Sequence, residues 1–127
     1  MQPFSITSKV AKYPTQHPYE QIKNDILGKK YSLSLAFVGG TTAQKLNVEH
    51  RQKTYIPNVL SFPLTDGAGE IFITPAVAKK EATKFAMTVD GYIGFLFVHA
   101  LLHLKGLDHG DTMEKAEKKY CSKYHLQ

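Results

Sequence analysis

This chain of 127 residues is most informative first in what it lacks. It has one cysteine, Cys121, which excludes an internal disulfide framework and fits a reducing, cytoplasmic setting. It has one arginine, Arg51; the other basic side chains are lysine. Acidic residues are scarce in the first half: residues 1–63 hold 3 against 8 basic ones, while residues 64–127 hold 8 of each. The longest uncharged apolar stretch, Gly91 to Leu104, is too short to span a bilayer. The opening "MQPFSITSKVAKYPTQ" has no apolar signal-peptide core, so no membrane association is expected. Repeats, low-complexity tracts and linkers are absent, so one domain over 1–127 is expected.

What is present is a basic globular composition. The net charge is +5 with a pI near 9.3, which favours an anionic partner, nucleic acid first. "FSITSKV" at 4–10 reads as a first strand, and "HPYEQIKNDILGKK" as a helix stopped by Gly28. "YSLSLAFV" alternates, with Leu33, Leu35 and Phe37 on one face. "TTAQKLNVEHR" reads as a short helix opened by a Thr41–Gln44 capping box.

"NVLSFPL" and "EIFIT" are strands joined at the Asp66–Gly67 turn, and Pro63 places the first of them at an edge. Thr74 and Pro75 open a helix running to about Lys84. The segment from about Thr88 to Lys105 is apolar all round and reads as a buried central helix. A last helix, N-capped by Asp111 or Thr112, carries Lys115, Lys118, Lys119 and Lys123 as a basic stripe, read as a solvated face. The sum is an α+β domain: a sheet of about four strands packed with helices.

The buried helix contains "HALLHLKGLDH", residues 99–109. Its spacing is that of the zinc protease motif H-E-x-x-H-x-x-G-x-x-H. His99 and His103 lie one helical turn apart, Gly106 can end the helix in a left-handed turn, and His109 can return to the same ion. Three imidazoles suit one Zn²⁺ and leave a fourth position for water or substrate. Asp108 either orients a ligand imidazole, carries a proton, or caps the following turn. The protease glutamate is missing, because position 100 is Ala100. Peptide hydrolysis needs that base, whereas a phosphodiester asks first for positive charge around its oxygens. His17, His50 and His125 read as surface or loop residues.

"HALLHLKGLDH" closely resembles the signature H-G-x-L-H-L-x-G-Y-D-H of the YbeY family of bacterial endoribonucleases. "LNVEHRQKTYIPNVLSFP", Leu46 to Pro63, resembles that family's second block, with Leu46, Asn47, Arg51, Lys53 and Asn58 through Pro63 matching. "GEIFIT" and the pair Met113 and Glu117 extend the resemblance over about residues 40–120. Departures fall at Ala100, Leu107, His50, Thr54 and Ile56–Pro57.

The resemblance implies a mixed sheet, one zinc ion on His99, His103 and His109, and zinc-dependent cleavage of single-stranded RNA. It implies 16S ribosomal RNA 3′-end maturation and ribosome quality control, with small-subunit protein and assembly-GTPase partners and no DNA. It implies that Arg51 is important for activity; read from the residues, Arg51 is catalytic and can reach a bound phosphate, Asp108 is a candidate proton carrier, and Lys53 and Asn47 are candidate contacts to the RNA backbone. The rival readings are a non-enzymatic, zinc-stabilised ribosome assembly factor that binds ribosomal RNA and a metal hydrolase of another substrate.

Overall fold

Four strands form one mixed sheet in the order β1-β2-β4-β3: β1 (Phe4–Ser8), β2 (Ser32–Phe37), β3 (Val59–Thr65) and β4 (Ala68–Ile73). The structure, a computed structural model, describes residues 3–126, so the outermost three positions of the expected domain lie outside it. β1 runs parallel to β2 and β2 parallel to β4, while β3 returns antiparallel along β4. The α+β architecture is thus as the sequence suggests. β3 is an edge strand, and its ladder becomes irregular between Pro63 and Thr65, where proline offers no N–H.

The alternation in β2 buries Leu33, Leu35 and Phe37 on one face, and Ile71 and Ile73 of β4 continue it. Helix α1 (Tyr19–Leu27) and the long α4 (Val89–Lys105) cover that face; the Tyr19 ring meets both Phe37 and Phe97 edge-on. Helix α4 begins at Thr88, whose hydroxyl accepts from the Gly91 N–H at 3.0 Å. Its apolar circumference is buried from Gly91 to Leu102, because the sheet, α1, α3 (Pro75–Ala82) and α5 (Asp111–Lys123) surround it. Among the described residues no single helix is long and apolar enough to cross a membrane.

Helix α5 is tied to α4 through a notch. Gly94 has no side chain, and the buried Leu126 fills the space; a Cβ there would stand 2.6 Å from its Cδ2. On the other side Lys123 pairs with Asp25 of α1 at 2.6 Å, joined by the Tyr124 hydroxyl at 2.8 Å.

Two local expectations are corrected and a third is refined. Thr41 and Gln44 form no capping box: α2 (Gly40–Arg51) starts after Gly39 without a side-chain cap, and the Gln44 amide instead donates to the Thr54 carbonyl at 2.7 Å. The residue preceding α5 is Gly110, not Asp111 or Thr112; its φ of 146° is glycine territory, and Asp111 becomes the first helical residue. Thr74 and Pro75 do take the N-cap and first helical positions of α3, although Thr74 makes no side-chain cap bond; the helix stops at Ala82 and the chain continues as a 3₁₀ turn over Thr83–Phe85.

Candidate metal centre and cleft

The end of α4 is built as a Schellman turn. The Gly106 N–H bonds to the His103 carbonyl at 3.0 Å, the Leu107 N–H reaches the Leu102 carbonyl at 3.0 Å, and Gly106 takes φ 108°. This reverses the chain so that residues 107–110 pass back beside the helix. The ligand atoms of His99, His103 and His109 then lie within 4.8 Å of one another, with His109 supplied from outside the helix.

The hydrogen bonds fix which nitrogens face inward. His99 Nδ1 lies 2.6 Å from the Glu117 carboxylate, and His103 Nδ1 lies 3.1 Å from the Leu107 carbonyl. A carbonyl cannot donate, so His103 carries its proton on Nδ1, and an ionised Glu117 places the His99 proton likewise. Both Nε2 atoms are then bare lone pairs, yet they face each other at 3.1 Å. Two lone pairs repel at that separation unless a cation lies between them. Tetrahedral zinc with bonds near 2.0–2.1 Å holds its ligand nitrogens about 3.3 Å apart, so the donor set fits such an ion. Burial, reinforced by His99 and then His109, lowers the pKa of His103, which keeps it in the neutral, metal-ligating form.

A cleft of about 450 Å³ opens beside this cluster, lined by the three histidines, Ala100, Asn58 to Ser61, Pro63 and Arg51. Ala100, at the position of the protease glutamate, adds only a methyl group to the wall. Arg51 ends α2 and reaches the cleft from the far side. Its Nη1 donates to the Tyr55 hydroxyl at 3.2 Å and to Asn47 Oδ1 at 3.4 Å. Among the described residues Nη2 and Nε have no partner, so one side of the guanidinium fork stays available. Asn58 is held by Glu81, whose Oε1 accepts from its amide at 3.0 Å and from the Tyr92 hydroxyl at 2.8 Å. That carboxylate and burial raise the Tyr92 pKa to about 12, with burial the larger effect.

The sequence candidates therefore separate. His99, His103, His109 and Arg51 converge on one cleft. Asn47 is fully buried; its amide donates to the Tyr55 carbonyl at 3.0 Å and its oxygen receives Arg51, so it positions the loop and the arginine. Lys53 is exposed on that loop and does not line the cleft. Asp108 is exposed, and its carboxylate makes no hydrogen bond or ion pair among the described residues. The acceptor behind His99 is Glu117, on a different helix, and the only sequence signal for it is the motif containing Met113 and Glu117. His17 bonds the Asp90 carbonyl, His50 packs on Phe62 and His125 is exposed, all away from the cluster.

Comparison with known proteins agrees with this geometry. The family model described as Endoribonuclease YbeY matches residues 5–125. A Mesoplasma florum protein named Endoribonuclease YbeY is 37% identical over 111 residues, covering 79% of this chain and 62% of the relative. A Bdellovibrio bacteriovorus protein of the same name is 38% identical over 86 residues, 66% of this chain and 57% of the relative. This chain thus spans less than two thirds of the length of either. A Thermotoga maritima protein known from its solution structure superposes with a TM-score of 0.69 at 23% identity, over 95% of this chain and 88% of that one. That likeness shows the shared fold.

Proposed function

The chain belongs to the YbeY family, and from that premise we propose that it is a zinc-dependent endoribonuclease cutting single-stranded ribosomal RNA. The carrying observation is that Arg51 and the three histidines, 48 to 58 residues apart in sequence, line one cleft. The proposal extends to 16S ribosomal RNA 3′-end maturation and ribosome quality control in the cytoplasm, with a small-subunit protein and an assembly GTPase as partners. Family membership and the net charge of +5 support that extension.

His99 and His103 would hold the ion through the Nε2 atoms freed by their hydrogen bonds to Glu117 and Leu107, with His109 as the third ligand. Zinc bound there supplies a Lewis acid for a phosphate oxygen and a water whose pKa falls toward 7. Arg51 faces the phosphate with its untethered side and stabilises charge as it grows on the phosphoryl oxygens. Asn47 and Tyr55 hold the other side, so the arginine needs little reorganisation when substrate arrives. Ala100 offers no proton acceptor. Asp108, exposed beside His109, is free to carry a proton between solvent and the cleft.

The test is cleavage of a ribosomal RNA fragment by purified protein. Arg51→Ala is expected to lose about 10²–10³ in rate, as for removal of one oxyanion donor. His103→Ala is expected to lose both activity and zinc. Equal cutting by all three preparations would refute the assignment, and binding without cleavage by the wild type would leave an RNA-binding assembly factor. A 2′,3′-cyclic phosphate end would identify the ribose hydroxyl, not water, as nucleophile.

A further inference from the structure

We infer that Tyr55 is a base-stacking subsite next to the phosphate-binding arginine, on which a nucleobase of single-stranded RNA lies. The inference rests on the endoribonuclease reading and adds the group that grips the base.

Tyr55 is 54% exposed, and among the described residues its ring meets no other aromatic. An exposed tyrosine is ordinary; an exposed tyrosine fixed this firmly is not. Its loop is tied to α2 at three points. The Lys53 N–H reaches the Asn47 carbonyl at 3.3 Å, the Gln44 amide donates to the Thr54 carbonyl at 2.7 Å, and the Asn47 amide donates to the Tyr55 carbonyl at 3.0 Å. Gln52, left-handed at φ 57°, sets the turn into that loop.

The far end of the side chain is held as well, because its hydroxyl accepts from Arg51 Nη1 at 3.2 Å. The backbone and the tip are both anchored while the ring face is left to solvent. None of these bonds draws the ring into the core.

The position tells what the face is for. Arg51 lines the metal cleft, and the tyrosine touches Arg51, so the ring begins where the guanidinium ends. A nucleotide whose phosphate is held by Arg51 carries its base within reach of that ring. Stacking on an aromatic side chain suits any base, and needs it unpaired, so the device favours single strands without reading sequence. A ring held in place before binding loses little freedom when the base arrives.

The experiment mixes zinc-loaded protein in a stopped-flow instrument with a short single-stranded RNA carrying 2-aminopurine, so that stacking is read before cleavage. Wild type and Tyr55→Phe are both expected to quench the fluorescence, Tyr55→Phe binding up to about ten-fold more weakly because its ring and Arg51 lose their shared hydrogen bond. Tyr55→Leu is expected to lose the quench and to weaken binding between about 5- and about 150-fold, the range for one stacked base. An abasic nucleotide at the stacked position should weaken the wild type by a similar factor and leave Tyr55→Leu unchanged, an outcome that mere loop damage does not give. Quenching and affinity retained in Tyr55→Leu, with RNA still cut, would overturn this inference alone. Failure of the wild type to bind or cut RNA would overturn the function reading and this subsite with it.

Discussion

Glu117 offers the sharpest perturbation of the site, because it bonds to a histidine of the cluster without being one of the three that would hold the ion. Its carboxylate accepts from His99 Nδ1 at 2.6 Å, with the two side chains only 13% and 21% exposed. That bond does three things: it sets the tautomer, fixes the ring plane and raises the basicity of Nε2. In Glu117→Ala all three are lost, and the emptied place adjoins a groove lined by Met87, Phe95, Glu114, Lys118 and Cys121.

Loss of a partner behind a metal-ligating histidine costs 10–100-fold in affinity, or about 1.4–2.7 kcal/mol. Glu117→Gln keeps a neutral acceptor and loses the charge, so it should fall about midway. Zinc dissociation constants measured by competition with a chromophoric chelator at fixed pH give the answer, with circular dichroism to show that α5 is still folded. Asp108→Ala is the contrast and should stay within about two-fold of wild type. If Glu117→Ala also stays within two-fold, the deduction that Glu117 holds His99 with Nε2 inward is wrong.

Further outcomes follow from the packing. Leu126→Ala should cost about 2–5 kcal/mol, the range for a buried leucine, in a thermal or denaturant melt. Gly94→Ala should destabilise the wild type, since overpacking costs about 1–3 kcal/mol; in the Leu126→Ala background it should instead stabilise by up to about 1 kcal/mol, the helix propensity gain of alanine over glycine. The same sign in both backgrounds would refute the notch. Bonds from Lys123 and then Tyr124 hold the Asp25 carboxyl below its ordinary value. Its stabilisation is therefore complete above the unfolded carboxyl value and disappears as pH falls through the folded one. Asp25→Asn should melt lower than wild type at pH 7, with the gap closing below about pH 4. Burial, with Glu117 nearby, raises the Cys121 thiol to about 11, so Ellman's reagent should label it about 100-fold more slowly than an exposed thiol until the protein unfolds.

The elements legible in the sequence are those where local period and burial coincide. β2 alternates because one face meets the core, and α4 is apolar all round because it is enclosed on every side. The histidine cluster is legible for the same reason: a helical turn and a glycine turn are local devices. Arg51 is different, since its meeting with the histidines is a tertiary event that only a second motif signals. What stayed illegible is side-chain hydrogen bonding across distance. Thr41 and Gln44 have capping-box spacing, yet Gln44 finds a better acceptor ten residues on, at Thr54. Asp108 adjoins His109, yet the carboxylate that bonds into the histidine cluster, Glu117, comes from 18 residues beyond His99 on another helix. Gly110 outcompetes Asp111 for the residue before α5 because the chain must turn there with positive φ.

Helix α5 also makes the metal site a thermodynamic partner of a distant surface. Glu117 reaches His99 only while α5 lies against α4, seated by Met113, Tyr120 and the Leu126 plug. An ion that binds the docked arrangement and not the undocked one stabilises it by RT ln(1 + [M]/Kd), about 2.7 kcal/mol at a hundredfold excess over Kd. Slow amide exchange along α5 should therefore deepen with added zinc, although Glu117 alone of that helix touches a ligand, and only through its hydrogen bond. The same linkage read backwards makes metal scarcity a mechanical event, loosening the helix that presents Lys115, Lys118 and Lys119 to solvent before any loss of the central fold.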